Sequence, residues 1–251
     1  MLKKNHKNKF IDDGFSFYKA LIAKKKIFTL FEVFKLLLNT DNNYKSFDSR
    51  YLSENIVKIK RKNPEKITYL YKNIVHVSAF INLFEDYAIR KIAAKLIDAN
   101  PDALIISEHQ FRIDYPSDKK HTLNWHQDAV FYPQDPKGRN SLVCNISLHN
   151  INKSMGSTIL LKGSHKGGIL KYQKIKGNSK RSGQRQISLK KKYKYETIET
   201  NIGDVSFYDA RLIHKSGSNI SSNVRFSCIA RIFNPVDKDY NSFEKISQKL
   251  K

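Results

Sequence analysis

Val224-Arg225-Phe226-Ser227-Cys228-Ile229-Ala230-Arg231-Ile232-Phe233 alternates with a period of two. Successive side chains of a strand point to opposite faces, so Val224, Phe226, Cys228, Ala230 and Ile232 make one apolar core face. The other face carries Arg225, Ser227, Ile229, Arg231 and Phe233. It sets Arg225 beside Ser227, and an arginine buried there needs a carboxylate or an equivalent partner. Working outward, the runs Leu104–Ile113, Ser141–Ile151, Ser157–Lys162, Lys192–Thr200 and Asp204–Tyr208 are similarly short and rich in Val, Ile, Phe and Tyr. Turn residues separate them, and no long helical pattern lies between. That argues against a parallel βαβ sheet and for an antiparallel sandwich or jelly roll.

Before residue 103 the period is that of helices. Ser16–Asn39 carries apolar residues from Phe17 to Leu38 near the 3.6 spacing, interrupted by Lys24-Lys25-Lys26. Asn82–Ala99 has a cleaner stripe through Leu83, Ile89, Ile92, Ala93 and Leu96, and Asn100-Pro101 stops it. The expectation is a mainly β fold with helices: one domain over 1–251, with 1–102 as mostly helical support. Residues 103–235 form the strand core, 162–195 a basic insertion in it, and 236–251 a tail.

The 251 residues hold 46 Lys+Arg against 23 Asp+Glu, a formal charge of +23. Hydrophobic content of 40% excludes a disordered chain. No apolar stretch approaches the roughly 20 residues that span a bilayer. Asp12 and Asp13 follow the basic N-terminus where a signal peptide would be apolar, so a cytoplasmic protein is expected. Cys144 and Cys228 sit in apolar runs and read as reduced core residues. Lys and Asn are abundant throughout, so compositional drift alone accounts for much of the charge. One stretch stands out: 12 of the basic residues and five glycines fall in Lys162–Tyr195, without an acidic residue. A basic stretch of this kind attracts phosphate, carboxylate or CoA-like substrates, whereas a plain solvated loop has no specificity. Tyr172, Tyr193 and Tyr195, interleaved with lysines, also suit nucleic-acid stacking.

Chemistry concentrates at Trp125-His126-Gln127-Asp128. In an extended segment His126 and Asp128 project to one face, offering an imidazole nitrogen and a carboxylate oxygen to a single point. A third ligand candidate is His214, between a short strand and a Gly/Ser/Asn loop. Two histidines and one carboxylate leave three positions open on a non-haem iron. The turn-rich Ser216–Asn223 lets the chain reverse and bring Arg225 alongside, where its fork suits the distal carboxylate of a dicarboxylate co-substrate.

Together Trp125–Asp128, Gly156, Lys162-Gly163-Ser164-His165-Lys166-Gly167, Gly203-Asp204 with Phe207, and His214-Lys215-Ser216 with Arg225 resemble the phytanoyl-CoA dioxygenase family. The resemblance runs from about Leu104 to Phe233, with five motifs in the right order. It implies a double-stranded β-helix (jelly roll, cupin-like) core and an oxygenase using Fe(II), 2-oxoglutarate and O2, with ascorbate to keep the iron reduced. By the same resemblance His126, Asp128 and His214 hold iron, while Arg225 and Ser216 hold the 2-oxoglutarate C5 carboxylate. Halogenating relatives lack the metal carboxylate, so Asp128 favours hydroxylation of an aliphatic carbon in a small or lipid-like metabolite. The tryptophan- and glutamate-containing signature of ectoine hydroxylases is absent, which argues against ectoine. Ile146 stands where family members often carry a tryptophan, leaving the co-substrate wall open. Arg112 is a candidate contact to 2-oxoglutarate or substrate, with an ion pair to Asp114 as the alternative. The competing function is a basic nucleic-acid-binding protein on a degenerate oxygenase scaffold. Among the remaining histidines, His6 and His121 read as loop residues, His76 and His109 as ordinary packing or surface residues, His149 as a surface residue with a place behind the metal ligands as the alternative, and His165 as part of a structural turn.

Overall fold

The computed structural model describes residues 4–39, 49–118, 122–174, 185–189 and 191–242. Six α-helices occupy the N-terminal part: α1 (Lys4–Asp13), α2 (Lys24–Leu38), α3 (Ser49–Lys62), α4 (Pro64–Asn73), α5 (Ser78–Phe84) and α6 (Tyr87–Leu96). The strands are β1 (Phe15–Tyr18), β2 (Ile105–Asp114), β3 (Ser141–Ser147), β4 (Thr158–Leu161), β5 (Gln173–Lys174), β6 (Arg185–Gln186), β7 (Tyr195–Thr197), β8 (Val205–Asp209), β9 (His214–Ser216) and β10 (Arg225–Phe233). One sheet runs β1-β8-β3-β10-β2, a second β7-β4-β9, and β5 pairs with β6. Every pairing is antiparallel. No described helix is long and apolar enough to cross a membrane.

The alternation in β10 is what organises the larger sheet. Phe226, Cys228, Ala230 and Ile232 are wholly buried, and they share one core cluster with Phe31 and Phe34 of α2 and Phe80 of α5. Phe226 meets Phe31 and Phe34 edge-on, with centroids 6.1 and 5.9 Å away. Each such buried phenylalanine contributes about 1.5–3 kcal/mol over an exposed one. On the opposite face, Val143 of β3, Tyr208 of β8 and Phe15 of β1 pack with Leu160 of β4 and Leu212. The large sheet is thus covered on both sides, by helices and by the second sheet, and a cleft opens between the sheets.

Two helix expectations need correction. Ser16 and Phe17 are not helical: Gly14, at φ +87°, ends α1, and Phe15–Tyr18 pairs with β8 as an edge strand. The three lysines at 24–26 begin α2 instead of breaking a longer helix, and Lys26 pairs with Asp86 at 2.7 Å. The stripe over Asn82–Ala99 is split at Glu85-Asp86, where Asp86 accepts the Ala88 amide and caps α6. The strand at Ser141–Ile151 ends at Ser147, with Ile151 in an isolated bridge to Thr200. Cys144 and Cys228 are free, buried and on the helix-facing side. Burial pushes both thiols well above their ordinary pKa, so they stay protonated.

Candidate metal centre

His126 and His214 face each other as an isolated antiparallel bridge. Each amide donates to the other's carbonyl at 3.0 Å. Residues paired this way put their side chains on the same side, and the two rings lie 4.2 Å apart. Because His214 belongs to β9, the bridge adds the His126 segment to the free side of the smaller sheet. His126 Nδ1 lies 2.7 Å from the Asn124 carbonyl, and His214 Nδ1 2.9 Å from that of Leu212. A carbonyl only accepts, so each ring donates through Nδ1 and keeps its Nε2 lone pair for another partner.

Asp128 reaches the same point by a different route from the one its spacing suggests. It opens a short 3-10 turn, Asp128–Phe131, and is not part of an extended segment. Its Oδ1 lies 3.5 Å from His126 Nε2 and 3.9 Å from His214 Nε2. One donor atom from each of the three residues falls within 4.8 Å of the others, and all three residues are buried. Burial alone would raise the Asp128 carboxyl, but the Arg231 guanidinium beside it holds it well below the usual carboxylate range. Burial, with His126 alongside, lowers His214 to about 4. Two imidazoles and one carboxylate, converging through Nε2, Nε2 and Oδ1, are a donor set that fits a ferrous ion.

The alternation in β10 supplies a residue that sequence reasoning passed over. Arg231 donates from Nε and Nη2 to Asp128 Oδ2, at 3.1 and 2.8 Å. A register shift in the β2–β10 ladder and the positive φ of Glu108, +52°, bring the Glu108 carbonyl within 3.3 Å of Arg231 Nη1. The signal was present in the strand pattern, which places Arg231 on the same face as Arg225.

All six site candidates line one cleft of about 450 Å3, partly open to solvent: His126, Asp128, His214, Arg112, Ser216 and Arg225. Arg225 finds the carboxylate its burial requires. Its Nε and Nη2 donate to Asp114 Oδ2 at 3.1 and 2.7 Å, and its Nη1 donates to the Gly156 carbonyl. Arg112 also pairs with Asp114, through Nη2 at 2.6 Å and Nε at 3.3 Å, while remaining in the cleft wall. Burial opposes ionisation of Asp114, yet these two guanidiniums take its carboxyl well below the usual range. Gly156 has φ +78°, and a Cβ there would sit 2.6 Å from the Gly217 carbonyl. Only glycine allows that approach, which presents the 156 carbonyl to Arg225.

Other motif residues are architectural. Asp204 accepts the Ala20 amide on one oxygen and the Asn201 amide on the other, both at 2.7 Å. Ser164 Oγ accepts the Ile213 amide at 2.9 Å, fixing the residue before His214. His165 meets the Ile11 carbonyl at 3.0 Å, in keeping with a turn role. His149 is not at the surface: it is 2% exposed, and its Nε2 accepts the Phe226 amide at 2.9 Å. Ile146 faces the helices, so Val143 and Asn145 form this part of the cleft wall instead. His109 packs on Phe80 and Phe84, and His76 is exposed. His121 lies outside the described residues. Within the basic insertion, Lys162 pairs with Glu196, and the Ile187 amide donates to the Trp125 carbonyl at 2.8 Å. That bond ties the insertion to the segment carrying His126.

Comparison with known proteins follows the same lines. Among curated proteins, no sequence matches the chain. Solved structures do match in fold. EvdO2 from Micromonospora carbonacea var. aurantiaca, complexed with 2-oxoglutarate, superposes with a TM-score of 0.66 at 15% identity, covering 93% of this chain and 91% of that one. The epimerase SnoN, in complex with Fe3+, alpha ketoglutarate and nogalamycin RO, gives 0.63 at 14% identity, covering 92% and 83%. EctD from S. alaskensis, with 2-oxoglutarate and 5-hydroxyectoine, gives 0.60 at 14% identity, covering 92% and 76%. The phytanoyl-CoA dioxygenase (PhyH) family profile matches residues 38–227, a span that contains His126, Asp128, His214 and Arg225. With most of its length inside the match, the chain belongs to the phytanoyl-CoA dioxygenase family.

Proposed function

We propose that the protein is an Fe(II)/2-oxoglutarate-dependent dioxygenase that hydroxylates an aliphatic carbon of a small or lipid-like metabolite, built as one domain around a double-stranded β-helix. The observation that carries this reading is the convergence of His126, Asp128 and His214, with Nε2, Nε2 and Oδ1 turned toward one another beside three buried arginines. The three residues would hold Fe(II). Arg225, with Ser216 on the same cleft wall, would receive the C5 carboxylate of 2-oxoglutarate. Of the five N–H donors of Arg225, Asp114 and Gly156 take three, which leaves two for that carboxylate. Bound iron, with 2-oxoglutarate and O2, supplies the oxidising power that no side chain has, and ascorbate would maintain its ferrous state. The chain's own part is to hold both imidazoles oriented through their Nδ1 contacts, to keep Asp128 ionised, and to shield the centre from water. Asp128 favours hydroxylation over halogenation, since the carboxylate position is filled.

A degenerate scaffold given over to nucleic acid would have no reason to keep a paired metal carboxylate and a paired Arg225. The test is succinate release from 2-oxoglutarate with Fe(II), across a metabolite panel, with mass spectrometry for one added oxygen in the product. The wild type should turn over, and His126→Ala and His214→Ala should lose turnover while keeping the far-UV circular dichroism of the fold. No turnover and no 2-oxoglutarate binding, together with a salt-dependent gel shift, would instead support the nucleic-acid reading.

A further inference from the structure

The cleft with the three ligands adjoins a second cavity, and Gln110 and Arg112 line both. The second is a groove of about 750 Å3, partly open to solvent, along β2 and against Tyr71 and Val75. Among the described strands β2 pairs only with β10, so its outer edge forms the groove wall. Tyr71 covers one end of that edge, its hydroxyl within 3.3 Å of the Ile113 carbonyl and 3.2 Å of the Ile113 amide. Beyond this point the strip toward His109 borders the groove.

Charge and position together single out Arg112, which lines both cavities. Arg112, Arg225 and Arg231 are three buried guanidiniums, whereas their carboxylate partners are two, Asp114 and Asp128. Among these guanidiniums one positive charge is left over, and Lys215, which also lines the cleft with its Nζ 4.6 Å over the Trp125 ring, adds to it. A divalent metal and a dianionic co-substrate cancel each other, so the excess persists when both are bound. The ladder places the excess: Asp114 lies opposite Arg225, Arg112 opposite Ser227, and Gln110 opposite Ile229. Arg112 therefore stands between Arg225 and the Arg231–Asp128 pair, on the strand that borders the groove. Asp114 takes two of its five N–H donors, leaving three.

We propose that Arg112 anchors an anionic group, carboxylate or phosphate, on the prime substrate, whose remainder lies along the β2 edge beside Tyr71 and Val75. The assignment rests on the oxygenase reading and names the substrate class for it. A cleft with more guanidiniums than carboxylates discriminates against neutral molecules, because filling the site with one would desolvate the excess charge without pairing it.

The experiment loads the full chain with Mn(II), a redox-inert substitute for iron, and with 2-oxoglutarate. Octanoate, octyl phosphate and octan-1-ol are then titrated by calorimetry. One of the two anions should bind about tenfold or more tightly than the alcohol, and which of them does so separates carboxylate from phosphate. Arg112→Gln should erase that preference, and Arg112→Lys, which keeps the charge, should retain it. Val75→Trp, which fills the groove, should weaken the anion about tenfold while its 2-oxoglutarate titration stays that of the wild type. Equal binding of alcohol and anions, or no binding of any, would overturn the proposal. So would an Arg112→Gln variant that loses 2-oxoglutarate itself, which would assign Arg112 to the co-substrate. If Arg112→Gln does not fold, Val75→Trp decides: undiminished anion binding overturns the groove. Failure of the wild type to take up 2-oxoglutarate at all is a different result, and it removes the oxygenase reading from underneath.

Discussion

The two oxygens of Asp128 face different partners: Oδ1 turns to the paired imidazoles, and Oδ2 to the fork of Arg231. A ligating carboxylate held on its far oxygen is oriented before any metal arrives, and losing such support costs about 10–100-fold in metal affinity. Arg231→Lys keeps the charge but not the two-pronged geometry. Its Co(II) affinity, followed by calorimetry, should fall within that range, and an unchanged affinity would remove Arg231 from the role. Arg231→Ala leaves the buried Asp128 charge without its cation and should cost about 3–5 kcal/mol in urea unfolding. Arg225 predicts the opposite pattern. Arg225→Lys should raise the 2-oxoglutarate KM about tenfold or more while Co(II) affinity stays within about twofold, because the lost contacts lie on the co-substrate side. A KM that does not move would exclude Arg225 as the carboxylate anchor.

At the scale of elements, the end of β3 shows how a side chain takes over from a ladder. The strand stops at Ser147, opposite Ser227, and the next amide of β10, that of Phe226, donates to His149 Nε2 at 2.9 Å. Burial lowers the His149 pKa from 6.5 to about 4, so the folded ring is neutral and carries its proton on Nδ1. The unfolded chain therefore binds a proton that the folded chain refuses between those two values. Stability from this site is intact above pH 6.5 and declines as the pH falls toward 4. The difference amounts to about 2 kcal/mol at pH 5. His149→Gln does not titrate there, so its loss of urea stability from pH 7 to pH 5 should be smaller than the wild type's by about that amount. Equal losses in the two proteins would show that His149 does not set the acid limit.

For the whole molecule, helices and large sheet share one cluster, with Phe226 at the contact between them. Phe226→Ala should cost about 3–5 kcal/mol. Far-UV circular dichroism and tyrosine fluorescence should still report one transition, whereas separate midpoints would divide the chain into two folding units. The formal charge of +23 acts over longer distances. If the insertion recruits an anionic substrate, neutralising Lys190, Lys191 and Lys192 should lower kcat/KM about tenfold at low salt. The deficit should shrink as salt rises, because screening removes the same attraction from the wild type. Matching values in low salt would leave the charge as compositional drift.

The residue pattern alone determined the face logic of β10, the antiparallel character of the strands, and the identity of His126, Asp128, His214 and Arg225 as candidates that share a cleft. Each rests on a local period or on an ordered set of motifs, and both are written along the chain. Tertiary structure decided the rest. Phe15–Tyr18 is a strand because β8 offers it an edge, although its apolar residues fit a helix equally well. Asp128 reaches the imidazoles from a 3-10 turn, and His149 is buried because β10 needs an acceptor where β3 ends. The partners of Arg225 and Arg231 were the least legible feature of all, whereas the Arg112–Asp114 pair, two residues apart, was readable as an alternative. Asp128 lies 103 residues from Arg231, and Asp114 lies 111 from Arg225. A period tells which face a side chain takes, but the carboxylate that meets it is chosen by how distant strands register and how the two sheets close on each other.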